Sequence, residues 1–276
     1  MPVVGTRGGW QRRGGDPGTY RGLNGFHRRG PDGRDRFYFG QRWGHRVQHR
    51  LYPRYRDFAP TFCGYYYDHG YWPRHRFRYG WGWIPAWWWN GYGYYYSPYG
   101  YYPDPTYWLT DYLFIWTIYS SYPPAYDQRY EEGYAQGSRD AWISQEVKDQ
   151  IRSQVREEID RNRTDGQEPP SLADALNNPR YLFVVSEEFS ATLLNGSSEG
   201  ETCSLSEGDV LKVVQPPGQD EDVARMTVVT SKRNRCPAGS EVLVSLDYLQ
   251  NFLNHASEGL ESGFQRLEKD QTQLGQ

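Results

Sequence analysis

Three stretches of this chain repeat their apolar residues with a helical period, one stretch repeats them with a strand period, and the front repeats nothing. Trp108, Leu109, Tyr112, Leu113, Trp116 and Tyr119 recur on one helix face. Asp104-Pro105 stands before them as an N-cap followed by proline at the first helical position, and Pro123-Pro124 stands after them. The spacing predicts an amphipathic helix over 105–122. It is shorter than the roughly 20 apolar residues of a membrane span and it carries Asp111, so no transmembrane span is expected. Packing on another protein element and docking at a membrane interface both stay open.

After a Tyr/Gly/Pro linker over 123–143, Ser144 caps a second predicted helix, 144–163. Its apolar residues Ile143, Val147, Ile151, Val155 and Ile159 come every four positions. Each step of four overshoots a full turn by about 40°, so the line is narrow and drifts. Such a line can dock on something but cannot enclose a core. Residues 164–179 read as a linker with a short helix at 171–178.

From 180 onward, Val, Leu, Phe, Thr and Ser come in short runs. Tyr181–Ser186, Phe189–Leu194, Asp209–Val214, Ala224–Ser231 and Glu241–Leu246 read as strands. Gly196, Glu207-Gly208, Pro216-Pro217-Gly218 and Pro237-Ala238-Gly239 punctuate them. Five or six short strands predict a small all-β barrel over 180–250. The tail, 246–270, is a predicted helix. Leu246, Leu249, Leu253, Ala256, Leu260, Gly263 and Leu267 keep a heptad register. Gly259 and Gly263 weaken it, each by up to about 1 kcal/mol relative to Ala. This helix either lies back on its own chain or drives self-association.

The front half lacks any such pattern. Residues 1–60 are Arg/Gly-rich with few aliphatics, so burial cannot offset a chain entropy of about 1–2 kcal/mol per residue, and the arm is expected to be disordered. Residues 61–104 form an aromatic tract. From Tyr65 to Tyr102, 19 of 38 residues are aromatic and Ile84 is the one large aliphatic. Rings alone do not fill an interior, so the tract is expected to be a contact surface.

Charge sharpens this division. Residues 1–80 carry 16 Arg against five Asp, a balance of +11, whereas 81–276 carry −14. A basic arm on an acidic body suits a polyanionic partner or the body itself. A GC-rich genome explains 27 Arg beside four Lys, but it does not explain 25 Tyr, whose codons are AT-rich.

Leu205-Ser206-Glu207-Gly208-Asp209-Val210-Leu211-Lys212-Val213-Val214 resembles the strand entry of Src-homology-3-like barrels. Val244-Ser245-Leu246-Asp247-Tyr248-Leu249 resembles the short turn that closes them, and Tyr248 matches the groove tyrosine. The resemblance implies the fold of bacterial versions that bind cell wall or partner proteins. It does not carry proline-motif binding, because no Ala-Leu-Tyr-Asp-Tyr-type segment opens the region and no Trp follows Trp142. Tyr67-Asp68-His69-Gly70-Tyr71-Trp72 resembles the WXXGXW repeat of uncharacterised secreted bacterial proteins, with Tyr for the first Trp. The whole chain is similar to uncharacterised bacterial envelope proteins with a Gly/Tyr/Trp-rich front and a small barrel behind.

The candidate chemistry is sparse. Cys203 and Cys236 lie 33 residues apart in the strand region. A disulfide is expected there and would stabilise by roughly 3–4 kcal/mol through loop entropy; free thiols are the alternative, and zinc lacks its spacing and a nearby His. A disulfide implies an oxidising compartment. The start Met-Pro-Val-Val-Gly-Thr-Arg carries no export signal. The location is therefore extracytoplasmic if a signal lies upstream of this start, and cytoplasmic if Met1 is the true start. Cys63 reads as a bystander thiol, and His27, His45, His49, His69 and His75 as solvated. Glu187 and Glu188 are strand neighbours on opposite faces, which argues against a catalytic pair. No phosphate loop or hydrolase elbow occurs.

The expectation is a largely disordered N-terminal half, two amphipathic helices, a small barrel and a C-terminal helix. The protein reads as non-enzymatic, without metal or cofactor. Trp72, Trp81, Trp83, Trp87, Trp88 and Trp89 are the expected contacts to a cell-wall or surface polymer, or to envelope proteins. The competing expectation is a cytoplasmic nucleic-acid binder that uses the +11 arm.

Overall fold

The computed structural model describes the strand backbones within 16–52, Trp81, Ile84, and residues 96–121, 143–163, 170–194, 200–218, 221–231 and 235–274. Helix α1, Pro105–Ser121, starts where the Asp104-Pro105 signal places it. The Asp104 carboxylate accepts the Thr106 amide at 2.8 Å, which satisfies one of the first unpaired helix amides. The helix is apolar on every side rather than on one stripe. Leu109, Phe114, Ile115 and Ile118 are fully buried, and so is Trp108 to within a percent. Packing on another protein element is thus met within the chain: α1 is the central rod of the helical layer. No helix among the described residues is long and apolar enough to cross a membrane.

Helix α2, Gln145–Arg163, lies against α1. Ser144 Oγ accepts the Val147 amide, and the five apolar residues of its line are all buried. A short helix α3, Leu172–Asn177, carries a capping box in which Ser171 and Asp174 satisfy each other's backbone amides.

Six strands follow: β5 (Leu182–Val184), β6 (Phe189–Leu193), β7 (Thr202–Leu205), β8 (Val210–Gln215), β9 (Val223–Thr230) and β10 (Glu241–Ser245). They form an antiparallel sheet in the order β5-β8-β9-β10-β6-β7. The expected barrel is corrected here, because the sheet stays open. Two features of the chain explain this. Gln154 of α2 covers the outer edge of β5: its carboxamide accepts the Leu182 amide at 3.0 Å and donates to the Leu182 carbonyl at 3.1 Å. The side chain stands where a closing strand would pair. In addition, the chain does not turn after β10. Helix α4, Leu246–Leu274, begins at the next residue, where the barrel resemblance implied a short turn.

The heptad residues of α4 from Leu246 to Leu267 lie within the chain's own core or pack against it. The face expected for self-association is therefore used internally. Gly259 and Gly263 have a role that their low helix propensity hides. A Cβ on Gly259 would meet Trp116 Cε3 at 2.8 Å, and one on Gly263 would meet Leu109 Cδ2 at 2.8 Å. The two glycines let α1 approach α4 closely. Gly208, at φ +88°, turns the chain beside Ile118 at the far end of α1.

Of the arm expected to be disordered, four strands are described: β1 (Asp16–Tyr20), β2 (Leu23–Arg29), β3 (Asp35–Trp43) and β4 (Arg46–Tyr52). They pair in chain order as an antiparallel meander, with Gly25 opposite Phe39 and Gly40 opposite His49. Neighbour-to-neighbour pairing closes only short loops, so it costs little chain entropy, and Phe37, Tyr38, Phe39, Val47 and Leu51 are strand-favouring types.

Candidate functional site

The most concentrated polar chemistry of the described residues lies where the aromatic tract meets α1. Asp111 sits in the second turn of α1 and is fully buried. Its Oδ1 accepts the Tyr96 hydroxyl at 2.5 Å and faces Lys148 Nζ of α2 at 3.6 Å. Its Oδ2 accepts the Tyr99 amide at 2.7 Å and the Tyr102 hydroxyl at 2.8 Å. Both oxygens are thus taken up by the end of the tract and by α2.

Lys148 completes the arrangement. Its ammonium donates to the Ser97 carbonyl at 2.8 Å and lies 3.8 Å from the Tyr99 ring centroid. The ring face attracts the cation, so the lysine grips the same segment by charge, hydrogen bond and ring. Tyr99 also donates its hydroxyl to Asp149 at 3.0 Å and meets Tyr107 edge-on. Burial holds the Asp111 carboxyl above the usual carboxylate range, opposed chiefly by the Lys148 charge and then by the Tyr96, Tyr99 and Tyr102 donors. Burial holds the Lys148 ammonium below its usual range, opposed by Asp111. Burial first, and the carboxylate second, drives the Tyr96 and Tyr102 phenols up. A carboxylate with every oxygen engaged by fixed donors acts as an anchor; it has no free lone pair aimed at a substrate.

The tract's rings continue this contact. Trp81 stacks on Trp108 at 5.5 Å between centroids and donates its indole N–H to Tyr102 at 3.2 Å. Tyr96 stacks on Phe114 at 4.9 Å. Of the expected polymer contacts, Trp81 is partly buried in this stack, while Trp72, Trp83, Trp87, Trp88 and Trp89 lie outside the described residues. So do Cys63, His69 and His75.

Cys203 and Cys236 are joined by a disulfide that ties β7 to the loop before β10. Tyr248 is half-buried on α4, stacked on Phe189 at 4.5 Å and beside Phe252. Glu187 accepts from Asn251, whereas Glu188 accepts from Ser204 and Arg235, so the two carboxylates serve different elements. Among the described residues no three His, Cys, Asp or Glu are grouped to hold a metal.

A cavity of about 50 Å³ lies between α2, α4 and β5, lined by Val155, Leu182, Gln250, Leu253 and Asn254 among others. A cavity of roughly 150 Å³ is needed to hold one benzene. The space is therefore too small for a sugar ring. The anchor of tyrosines on Asp111 was not read from the sequence. Its one signal was an acidic residue in the middle of an otherwise apolar helix. Comparison of the chain with protein-family models, with curated proteins and with solved structures finds no match in any of the three.

Proposed function

We propose that the protein is a non-enzymatic binding or structural component of the bacterial cell envelope, of the kind its Gly/Tyr/Trp-rich front resembles. It would contact wall or surface polymers, or partner proteins, through aromatic residues. The observation that carries this reading is the grip on the tract. The folded part turns its buried charges and three phenols inward to fasten the segment 96–102, so the rest of the tract is presented from a fixed root. Trp72, Trp83, Trp87, Trp88 and Trp89 are the proposed polymer contacts, since the indole face suits stacking on the apolar face of a sugar ring. The Cys203–Cys236 disulfide supports an extracytoplasmic location, where such bonds persist.

Retention of the intact protein on purified peptidoglycan tests the reading. Binding that disappears when those five tryptophans become alanine is expected; passage of the intact protein straight through removes this partner. The +11 balance of residues 1–80 favours nucleic acid as a second reading. That reading requires affinity for DNA or RNA that falls steeply with salt, and a flat response would dismiss it.

A further inference from the structure

The segment that Asp111 fastens holds four tyrosines, and three of them are turned inward. Tyr96 and Tyr102 donate to Asp111, and Tyr99 donates to Asp149. Tyr101 does the opposite. Its side chain is 76% exposed, by far the most of any large hydrophobic residue described, and it makes no hydrogen bond or ring contact. The residues on either side of it, Tyr99 and Tyr102, are both fastened to Asp111. The backbone is pinned beside it at the Tyr99 amide, and Pro98 and Pro103 bracket the turn. The fastened segment thus presents one bare phenol to solvent.

We propose that Tyr101 is an oxidative cross-linking site, which couples through its ring to a tyrosine of a second copy of this chain. The chemistry follows from the phenol. Loss of one electron and one proton gives a tyrosyl radical whose spin is shared with the ring carbons ortho to oxygen. Two such radicals form one carbon–carbon bond between ortho positions. Each ring then moves the hydrogen from that carbon to its oxygen, which restores both phenols. The pair has lost two electrons and two protons, and hydrogen peroxide, turned over by a haem peroxidase, takes them up to become two waters. The coupling needs an ortho carbon open to a partner ring, a condition Tyr101 meets and the buried Tyr96 does not.

The chain's composition favours this outcome. It has 25 Tyr against two Met and three Cys. Sulfur side chains are the usual sinks for oxidants, and two of the three cysteines are already joined. The other phenols of the segment, Tyr96, Tyr99 and Tyr102, are hydrogen-bonded into their own fold and are not offered to Tyr101 as partners. The proposal adds a covalent step to the structural role argued above but does not depend on any polymer ligand.

The test treats the full chain, as an equal mixture of isotope-labelled and unlabelled copies, with a haem peroxidase and hydrogen peroxide. Cross-linked peptides are then mapped by mass spectrometry. The expected result is a Tyr101 peptide joined to a tyrosine peptide of the other label, with dityrosine fluorescence. Tyr101→Phe should lower the yield of links to the folded part several-fold, without change in its thermal unfolding. Recovery of the Tyr101 peptide unmodified while other tyrosines couple, links that join only peptides of one label, or an undiminished yield in the Phe variant would each overturn the proposal. Failure to bind peptidoglycan would leave it standing, so the two ideas fall separately.

Discussion

Truncating Asp111 to alanine should cost the folded state about 3–5 kcal/mol, the range for breaking a buried ion pair from one side. The figure can be worked from the site. Removal of the carboxylate leaves the buried Tyr96 hydroxyl without its acceptor, and a stranded buried donor costs about 1–3 kcal/mol. The Tyr99 amide and the Tyr102 hydroxyl are only part-buried, so water can replace some of what they lose. Lys148 keeps its contact with Ser97 and the Tyr99 ring but loses its counter-charge at 3.6 Å. Urea unfolding of the full chain, followed by tryptophan fluorescence, measures the loss. A double substitution, Asp111→Leu with Lys148→Met, removes both charges and should lie closer to wild type than Asp111→Ala alone. The single effects should then fail to add by about 0.5–3 kcal/mol. An Asp111→Ala variant within about 1 kcal/mol of wild type, or strict additivity in the double variant, would show that the carboxylate is not the anchor.

The same site sets a pH dependence. Asp111 has a raised pKa in the folded state, so its contribution to stability is present below the ordinary carboxyl range and is lost as pH rises through the folded value. Lys148 has a lowered pKa, so its contribution is present above the ordinary amine range and is lost as pH falls through the folded value. Lys148→Met should therefore be most harmful near neutrality and recover on acidification, as the uncompensated carboxyl takes up a proton; a constant deficit from neutral to acid pH would contradict this. Gly259→Ala gains up to about 1 kcal/mol of helix propensity but drives a methyl into the Trp116 ring, which His255 backs at 4.3 Å. Overpacking of about 1–3 kcal/mol should win, and thermal unfolding gives the sign. Gln154→Ala uncovers the β5 edge, so it should lose about 1–2 kcal/mol and scatter more light on storage. His255 has its Nε2 buried without a partner, and burial pushes the imidazole down to about 3. It contributes stability above its ordinary range that is lost as pH falls, so His255→Phe should flatten the acid limb of the stability curve.

The elements of this fold were legible where their signals are local. Asp104-Pro105 marks the start of α1, the four-residue line marks α2, and the heptads mark α4. Five of the six strands of the second sheet stood out by composition, and β7 did not, because Thr202-Cys203-Ser204-Leu205 is only four residues long and its alternation rests on one Cys and one Leu. What could not be read is how the elements meet. Gly259 and Gly263 look like defects in a helix until Leu109, Tyr112 and Trp116 are laid against them. The open sheet depends on Gln154, 28 residues before the edge it covers. The end of the aromatic tract looked unable to pack, because it lacks aliphatic neighbours of its own. α1 supplies Phe114 to Tyr96, and α2 supplies the lysine. Asp111 served only as evidence against a membrane span, although it is the residue on which the tract is fastened.

Hydrogen exchange at the Tyr99 amide tests that fastening most directly. In the full chain at neutral pH, the amide that donates to Asp111 at 2.7 Å should exchange as slowly as the interior of α1 and should lose its protection in Asp111→Ala. Exchange at the rate of an open chain in the wild-type protein would mean that the tract is not held by the fold, and the anchoring described here would be wrong.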